Sequence, residues 1–317
     1  NPPKPMARNK SQFLMAALET TYATSAAPTG VNAIRVRDPK LTAFDATAIA
    51  RPSLDGQFGE ALPDVMAELK NGVAFDVEAV GSGTPGTPPA FGIFLRAAGM
   101  NLATVATTSN TYSFVTGGAD SLTFYHDWDG NKHLGIGART KSWELKMQAG
   151  EVPLFSFDVP GIYVPPVDAT SLTPTYSAMA APVACNSVNT PTFSLHNYSC
   201  CIIDFSLKCD NTVEFYDRMG CAPNFQIVDR VITGSLKLQR PDLLSSKDFY
   251  AIAVASTNGA LNFTHGTVAG NRMVVNLPKV QLGAPAPDDD AGIAALTIPF
   301  TVRRTEGLSD SGTLAFP

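Results

Sequence analysis

Two histidines are the first residues whose placement could mean chemistry. His126 and His265 each close an alternating run, Leu122-x-Phe124-x-His126 and Leu261-x-Phe263-x-His265. Each run is followed by a glycine turn, Gly130-Asn131-Lys132 in the first and Gly270-Asn271-Arg272 in the second. Imidazole titrates near neutrality, so a pair of histidines could act as general acid and base. A hydrolytic triad also needs a nucleophile and an orienting acid. No G-x-S-x-G, Walker or G-x-G-x-x-G context is present, and Gly135 and Gly137 lie in a strand pattern with no helix after them. The repeated setting marks both histidines as parts of a fold's pattern. No catalytic residue and no cofactor is expected.

The carboxylates and thiols point the same way. Asp127-Trp128-Asp129-Gly130-Asn131 resembles the start of a calcium loop, which needs glycine at its sixth position and Glu at its twelfth. Counted from Asp127, Gly130 comes fourth and Ala138 twelfth, so a hairpin turn is the better reading. Asp288, Asp289 and Asp290 read as a solvated turn between strands. The five cysteines, Cys185, Cys200, Cys201, Cys209 and Cys221, are odd in number and include an adjacent pair. They lack zinc spacing and make a poor disulfide framework, so buried or partly buried free thiols in a reducing cytoplasm are expected, and no metal.

Composition bounds the class. At about 100–200 residues per domain, a chain of 317 residues predicts two domains, each with its own core. The 25 glycines and 24 prolines favour turns and short strands over long helices. A net charge of −5 argues against a surface built to grip phosphates, though not against one that lets DNA pass. No apolar run reaches the roughly 18 residues of a membrane helix, so no membrane insertion is expected. Nothing in the first residues has the form of a secretion signal.

These side chains need strands to hold them. Residues 1–30 read as an arm, and a strand is expected near Ile34–Val36. A long segment over about 38–70 reads as a loop, and loops of that length are usually functional. Val73, Phe75, Val77 and Ala79 then alternate with polar residues as a half-buried strand. A short helix follows, with Thr87 as its cap, Pro88 in its first turn and Gly99 as its stop. Phe91, Phe94, Leu95 and Ala98 form its apolar stripe. The strand over 121–128 turns through Asp129-Gly130, a type I′ signal. Trp143, Leu145 and Met147 face away from Glu144, Lys146 and Gln148, and Leu154–Val159 closes the half.

The second half repeats this order. Ile203, Phe205 and Leu207 alternate with polar residues, and a loop over about 209–230 follows. Gly234, Leu236 and Leu238 match Val73, Phe75 and Val77. A helix capped by Ser245 or Ser246 is expected to run to about Ala255, before the repeated hairpin and a closing strand, Leu296–Val302. The fold expected is mainly β: two tandem β-sandwich or barrel domains, each with one short flanking helix. The division is 1–30 N-terminal arm, 31–160 first domain, 161–195 extended linker, 196–304 second domain and 305–317 C-terminal arm.

Three segments resemble a known family. The helix segment GTPPAFGIFLRAAGM, the opening ALETTYATSAAPTG and the closing strand LTIPFTVRRT are similar to those of tail tube (major tail) proteins of long-tailed, non-contractile bacteriophages. The resemblance covers the chain in order and implies a structural virion protein. In that family, inner sheets join side by side into rings of six domains, and the rings stack into a tube. The implied partners are other copies of the chain, the tape measure protein, the tail terminator, the tail-tip proteins and, transiently, double-stranded DNA. The implied location is the virion tail, assembled in the host bacterial cytoplasm.

A chain with two domains would need three copies per ring, whereas single-domain members form true hexamers. Open sheet edges, an aggregation hazard in a monomer, suit such joining. Glu144, Lys146, Gln148, Thr297, Thr301 and Arg303 are polar-face candidates, either lining the lumen or forming ordinary solvated outer faces. The rival readings are another tail component (a tail-tip or baseplate-hub protein), a β-sandwich binding module such as a lectin, and an enzyme.

Overall fold

A computed structural model of the chain describes residues 11–52, 62–170, 172–306 and 310–317. Parts of four expected segments lie outside the described residues: 1–10 of the N-terminal arm, 53–61 of the first long loop, 171 of the linker and 307–309 of the C-terminal arm. The fold is mainly β, with two short helices. The first half runs β1 (Gln12–Leu18), β2 (Ala33–Ile34), β3 (Arg37–Arg51), β4 (Leu62–Glu78), α1 (Gly92–Ala97), β5 (Met100–Val105), β6 (Ser109–Phe114), β7 (Leu122–Trp128), β8 (Asn131–Ala138), β9 (Ser142–Gln148) and β10 (Leu154–Asp168). The second half runs β11 (Thr192–Leu195), β12 (Tyr198–Ser199), β13 (Ile202–Tyr216), β14 (Asn224–Gln239), α2 (Phe249–Val254), β15 (Asn258–His265), β16 (Met273–Leu282), β17 (Ala286–Asp290), β18 (Ile293–Val302) and β19 (Thr313–Phe316).

The two halves share one order of antiparallel pairing. In the first, β3 pairs with β4 and β4 with β10. On its other side β10 pairs first with β9, through Leu154 to Asp158, and then with β8 from Ile162 onward, with a register shift between Val164 and Val167 inside that second ladder. Strand β8 continues to β7, and β7 to β1. In the second half the order is β13, β14, β18, with β17 and then β16 on the far side of β18. Strand β16 continues to β15, and β15 to β11. Each half thus has a strand, β10 or β18, shared between two sheets. The hairpin of β5 and β6 has no counterpart in the second half. It reaches that half through β19, which pairs with β6 on one side and β16 on the other.

Burial follows the alternation. On β4, Val73, Phe75 and Val77 are buried, and on β10 so are Phe155, Phe157 and Val159. From α1, Phe94 meets Phe75 at 4.9 Å and Phe157 at 5.4 Å, and Phe91 meets Phe155 at 5.1 Å. The second half packs Phe205 on Phe263 at 5.0 Å and on Phe300 at 6.1 Å. Each buried Phe stabilises by roughly 1.5–3 kcal/mol, so these clusters fix the layers. The two cores are continuous with one another.

Several elements differ from expectation. Both long loops are strand hairpins: 38–70 belongs mostly to β3 and β4, and 209–230 to the far halves of β13 and β14. Beyond about Phe44 and Leu69 the first hairpin is mostly exposed on both faces, so no hydrophobic alternation marks it as strand. The expected arm at 1–30 contains β1, with Leu14 and Met15 fully buried. The expected linker at 161–195 takes in the end of β10 and all of β11, and the C-terminal arm carries β19, with Leu314 and Phe316 buried. Helix α1 starts at Gly92, with Phe91 at its cap and no side-chain cap, so Thr87 does not serve. Gly99 ends it with φ +81, and the stripe Phe91, Phe94, Leu95, Ala98 is fully buried. The cap of α2 is Asp248, whose carboxylate accepts from Ala251 N at 2.9 Å, not Ser245 or Ser246.

Candidate functional site

The surface with the most organised geometry is the solvent face of an eight-strand sheet running across both halves: β3, β4, β10, β9, β13, β14, β18, β17. The central joint is β9 with β13. Leu145 lies opposite Leu207, Met147 opposite Phe205 and Trp143 opposite Cys209 on the core side. On the solvent side Glu144 lies opposite Lys208, Lys146 opposite Ser206 and Gln148 opposite Asp204. Period-two alternation on the strands flanking this joint keeps one face apolar and the other polar, so joining the edges joins the cores and the polar faces together. Among the described residues, β3 has no ladder besides β4 and β17 none besides β18, so the sheet ends in two open edges.

The structure brings five of the six polar-face candidates onto this face. Glu144, Lys146 and Gln148 lie at its centre, while Thr297 and Thr301 lie on β18, opposite Lys237 and Thr233. Arg303 lies past the end of β18, where its Nε donates to Gln281 Oε1 at 2.8 Å. Several cations of the face sit beside carboxylates: Lys146 is 3.3 Å from Glu144, Lys208 2.9 Å from Asp210 and Lys237 3.1 Å from Asp288. Arg37 bonds Glu78 at 2.5 Å. Asp76, Asp158, Asp204 and Asp290 add further negative charge on the same side, so carboxylates outnumber cations across the face. Exposed pairs of this kind are each worth only about 0–1 kcal/mol; their effect is on the field above the sheet.

Asp288, Asp289 and Asp290 are strand residues of β17, not a turn. Asp288 accepts from Thr297 Oγ1 at 2.8 Å. The backbone N–H of Asp289, then the Thr297 and Lys237 contacts, hold its carboxyl below the ordinary Asp value. Of the basic run Arg35, Arg37, Lys40 at the opposite edge, only Lys40 falls within the segment read as loop, and sequence reasoning missed the run as a site. The signal that could have found it is the contrast between that cationic run and Pro-Asp-Asp-Asp at the other end of the repeat.

The repeated hairpins do not form a joint centre. Leu122, Phe124 and His126 are fully buried on β7, and Leu261, Phe263 and His265 are buried on β15. His126 Nε2 meets Gln12 Oε1 at 3.0 Å, and burial, then His133, pushes its pKa down to about 4. His265 Nδ1 meets Thr190 Oγ1 at 2.9 Å, and burial lowers its pKa as well. Asp129 and Gly130 both have positive φ, at 52° and 88°, as a type I′ turn requires, and Asp127 Oδ1 accepts from Gly130 N at 3.2 Å.

The Gly130-Asn131-Lys132 turn stays at the surface, with Lys132 Nζ 3.8 Å from the Tyr125 ring centre. The Gly270-Asn271-Arg272 loop instead clamps other segments. Gly270 O accepts from Gly83 N at 2.9 Å, and Asn271 bonds Gly81 N at 3.0 Å and Ala181 O at 2.8 Å.

All five thiols are free. Cys185 and Cys209 are buried, whereas Cys201 and Cys221 are exposed, which corrects the expectation for those two. Burial pushes the Cys185 thiol up to about 11 and Cys209 to about 12. Among the described residues, no group of three or more His, Cys, Asp or Glu side chains could hold a metal ion. None of their helices is long and apolar enough to cross a membrane.

Compared with models of known families, residues 9–302 match the one described as phage tail tube protein. A comparison with curated proteins finds no match.

Proposed function

Because the chain belongs to the phage tail tube protein family, whose members are structural virion proteins that assemble into a tube, we propose that it is the two-domain tube subunit of a long-tailed, non-contractile phage. Residues 31–160 and 196–304 act as two copies of the tube domain, with the flanking segments and the linker as arms. Three chains close a pseudo-sixfold ring, and rings stack into a hollow conduit. The tape measure protein occupies the conduit during assembly in the host cytoplasm, and the genome passes through it later. Terminator and tip proteins meet its two ends.

One observation carries this reading. The β9–β13 joint already sets two equivalent sheets side by side within one chain and leaves an open edge at each end. Head-to-tail contacts of that kind close into rings when the rotation permits. The polar face, with its excess of carboxylates, is the lumen in this proposal, since like charge lets phosphates slide without sticking. The far ends of the first hairpin expose Phe44, Ile49, Val65 and Met66, each at least half accessible, and these suit contacts between stacked rings.

Negative-stain microscopy of the purified protein at high concentration tests the proposal. Hollow tubes or stacked rings are expected; a particle that stays monomeric under all conditions overturns it.

A further inference from the structure

The internal joint also carries the register of a contact between chains. Strands β9 and β17 hold the same position beside β10 and β18, and β13 and β3 hold the same position beside β14 and β4. The ladders fix the equivalences. Phe155 pairs with Val77 as Leu296 pairs with Leu238, so Lys146, opposite Leu154, corresponds to Asp288, opposite Ala295. On the other strand, Ser206 lies opposite Ser235 as Lys40 lies opposite Ala74. Inside the chain Lys146 faces Ser206, and Gln148 faces Asp204. Carried to the open edges, that register sets Asp288 against Lys40, and the bulge on β3 between Arg37 and Lys40, where Asp38 has φ 44°, sets Asp290 against Arg37.

We propose that β17 of one copy pairs antiparallel with β3 of the next copy in this register, Asp288 opposite Lys40 and Asp290 opposite Arg37. The proposal rests on the ring reading above and assigns its closing contact. The internal joint supplied the register before any charge was considered, yet the register brings two acidic residues onto two basic ones. Opposite residues on an antiparallel pair share a face, with Cβ atoms about 4.5–5.5 Å apart, close enough for charge pairing.

The same charges exclude the wrong pairings. Two β17 edges would set aspartates against aspartates, and two β3 edges would set cations against cations. Either like-with-like contact would give a closed dimer, so their repulsion selects the head-to-tail contact that a ring needs. Arg37, Lys40 and Asp288 are exposed and Asp290 half-buried in the single chain, as edge residues awaiting a partner strand should be. Charged residues and Pro39 and Pro287 also keep both edges from indiscriminate pairing before assembly.

Two measurements test the register, both on the full chain with Cys201→Ser and Cys221→Ser to remove the exposed thiols. In the first, Lys40→Cys combined with Asp288→Cys is assembled and oxidised. Species of two and three chains on a denaturing gel are expected, with at least tenfold less from the mismatched pair Lys40→Cys with Asp290→Cys. Lys146→Cys with Ser206→Cys, the internal counterpart, should close within one chain. Tubes that form while this control closes, but without the cross-link between chains or with equal yield from the mismatched pair, overturn the register and leave the tube reading intact.

In the second, Asp288→Lys with Asp290→Lys should abolish assembly, and adding Arg37→Asp with Lys40→Asp should restore it. Unimpaired assembly of the one-sided variant, or failure of the four-site variant to recover while remaining folded by circular dichroism, overturns the charge pairing. Failure of the unaltered protein to assemble at all counts against the tube reading itself.

Discussion

Arg230 Nη2 lies 3.0 Å from the carbonyl oxygens of both Ala98 and Gly99, so a residue of the second half's long hairpin caps the helix of the first. Its Nε donates to Asn211 Oδ1 at 3.0 Å, and Asn211 Nδ2 donates to Ala98 O at 3.1 Å and Thr140 O at 3.0 Å. A cation at a helix C-terminus meets the negative end of the dipole and satisfies carbonyls left without helical partners. Burial lowers the Arg230 pKa, yet a guanidinium remains charged. Arg230→Ala should cost about 2–4 kcal/mol, because it loses charge-assisted bonds to two carbonyls and to the buried Asn211 Oδ1. Arg230→Lys should lose less, keeping the charge without the fork. Urea unfolding of the three proteins checks the order; a loss under about 0.5 kcal/mol for Arg230→Ala defeats the account.

The two helices differ in how they begin, and that difference is measurable. Asp248 caps α2 through Ala251 N, so Asp248→Ala should cost about 1 kcal/mol. Thr87 lies five residues before α1 and makes no cap, so Thr87→Ala should stay within about 0.5 kcal/mol. Melting temperatures of the pair decide between them, and equal shifts would contradict the assignment.

What was legible in the sequence is what one-sided burial writes into it. Val73, Phe75 and Val77, or Leu296, Ile298 and Phe300, alternate because one face meets a core. The outer reaches of β3 and β4 carry no such imprint, since neither face of residues 44–51 is buried, and they read as loop. Edge residues are hidden for a related reason. Arg37, Lys40, Asp288 and Asp290 look like ordinary solvated charges until the ladders set them at the two ends of one sheet. The Arg230 cap joins residues far apart in the chain, and no local pattern encodes it.

Gly130 and Gly270 occupy the same place in the repeated motif but not in space. Both have positive φ, at 88° and 80°. A Cβ on Gly130 would meet only Ala169 O, at 3.4 Å, whereas one on Gly270 would meet Thr84 N at 2.7 Å, Gly83 C at 2.8 Å and Pro85 N at 2.9 Å. Gly130→Ala should therefore cost about 1 kcal/mol for the backbone alone. Gly270→Ala adds a backbone clash that must move the 81–85 segment, for a total of about 3 kcal/mol. Thermal unfolding of the two variants tests this, and equal destabilisation would mean that the clamp yields freely.

Acid should weaken the fold through His126. Its pKa is about 4 in the folded chain, held down by burial and then by His133, against about 6.5 unfolded. The unfolded chain therefore binds the proton first, so stability falls as pH drops from 6.5 to 4 and the loss levels off below. A gap of that size corresponds to about 3 kcal/mol at the acid end. Burial also lowers the pKa of His133, His196 and His265, so the effect of His126 must be isolated by difference. His126→Gln keeps a side chain that can meet Gln12 and removes the titration. Its stability should fall less steeply between pH 6.5 and 4 than that of the unaltered protein, as measured by urea unfolding at half-unit steps. Parallel curves would show that His126 reaches solvent or a compensating partner when it takes up its proton.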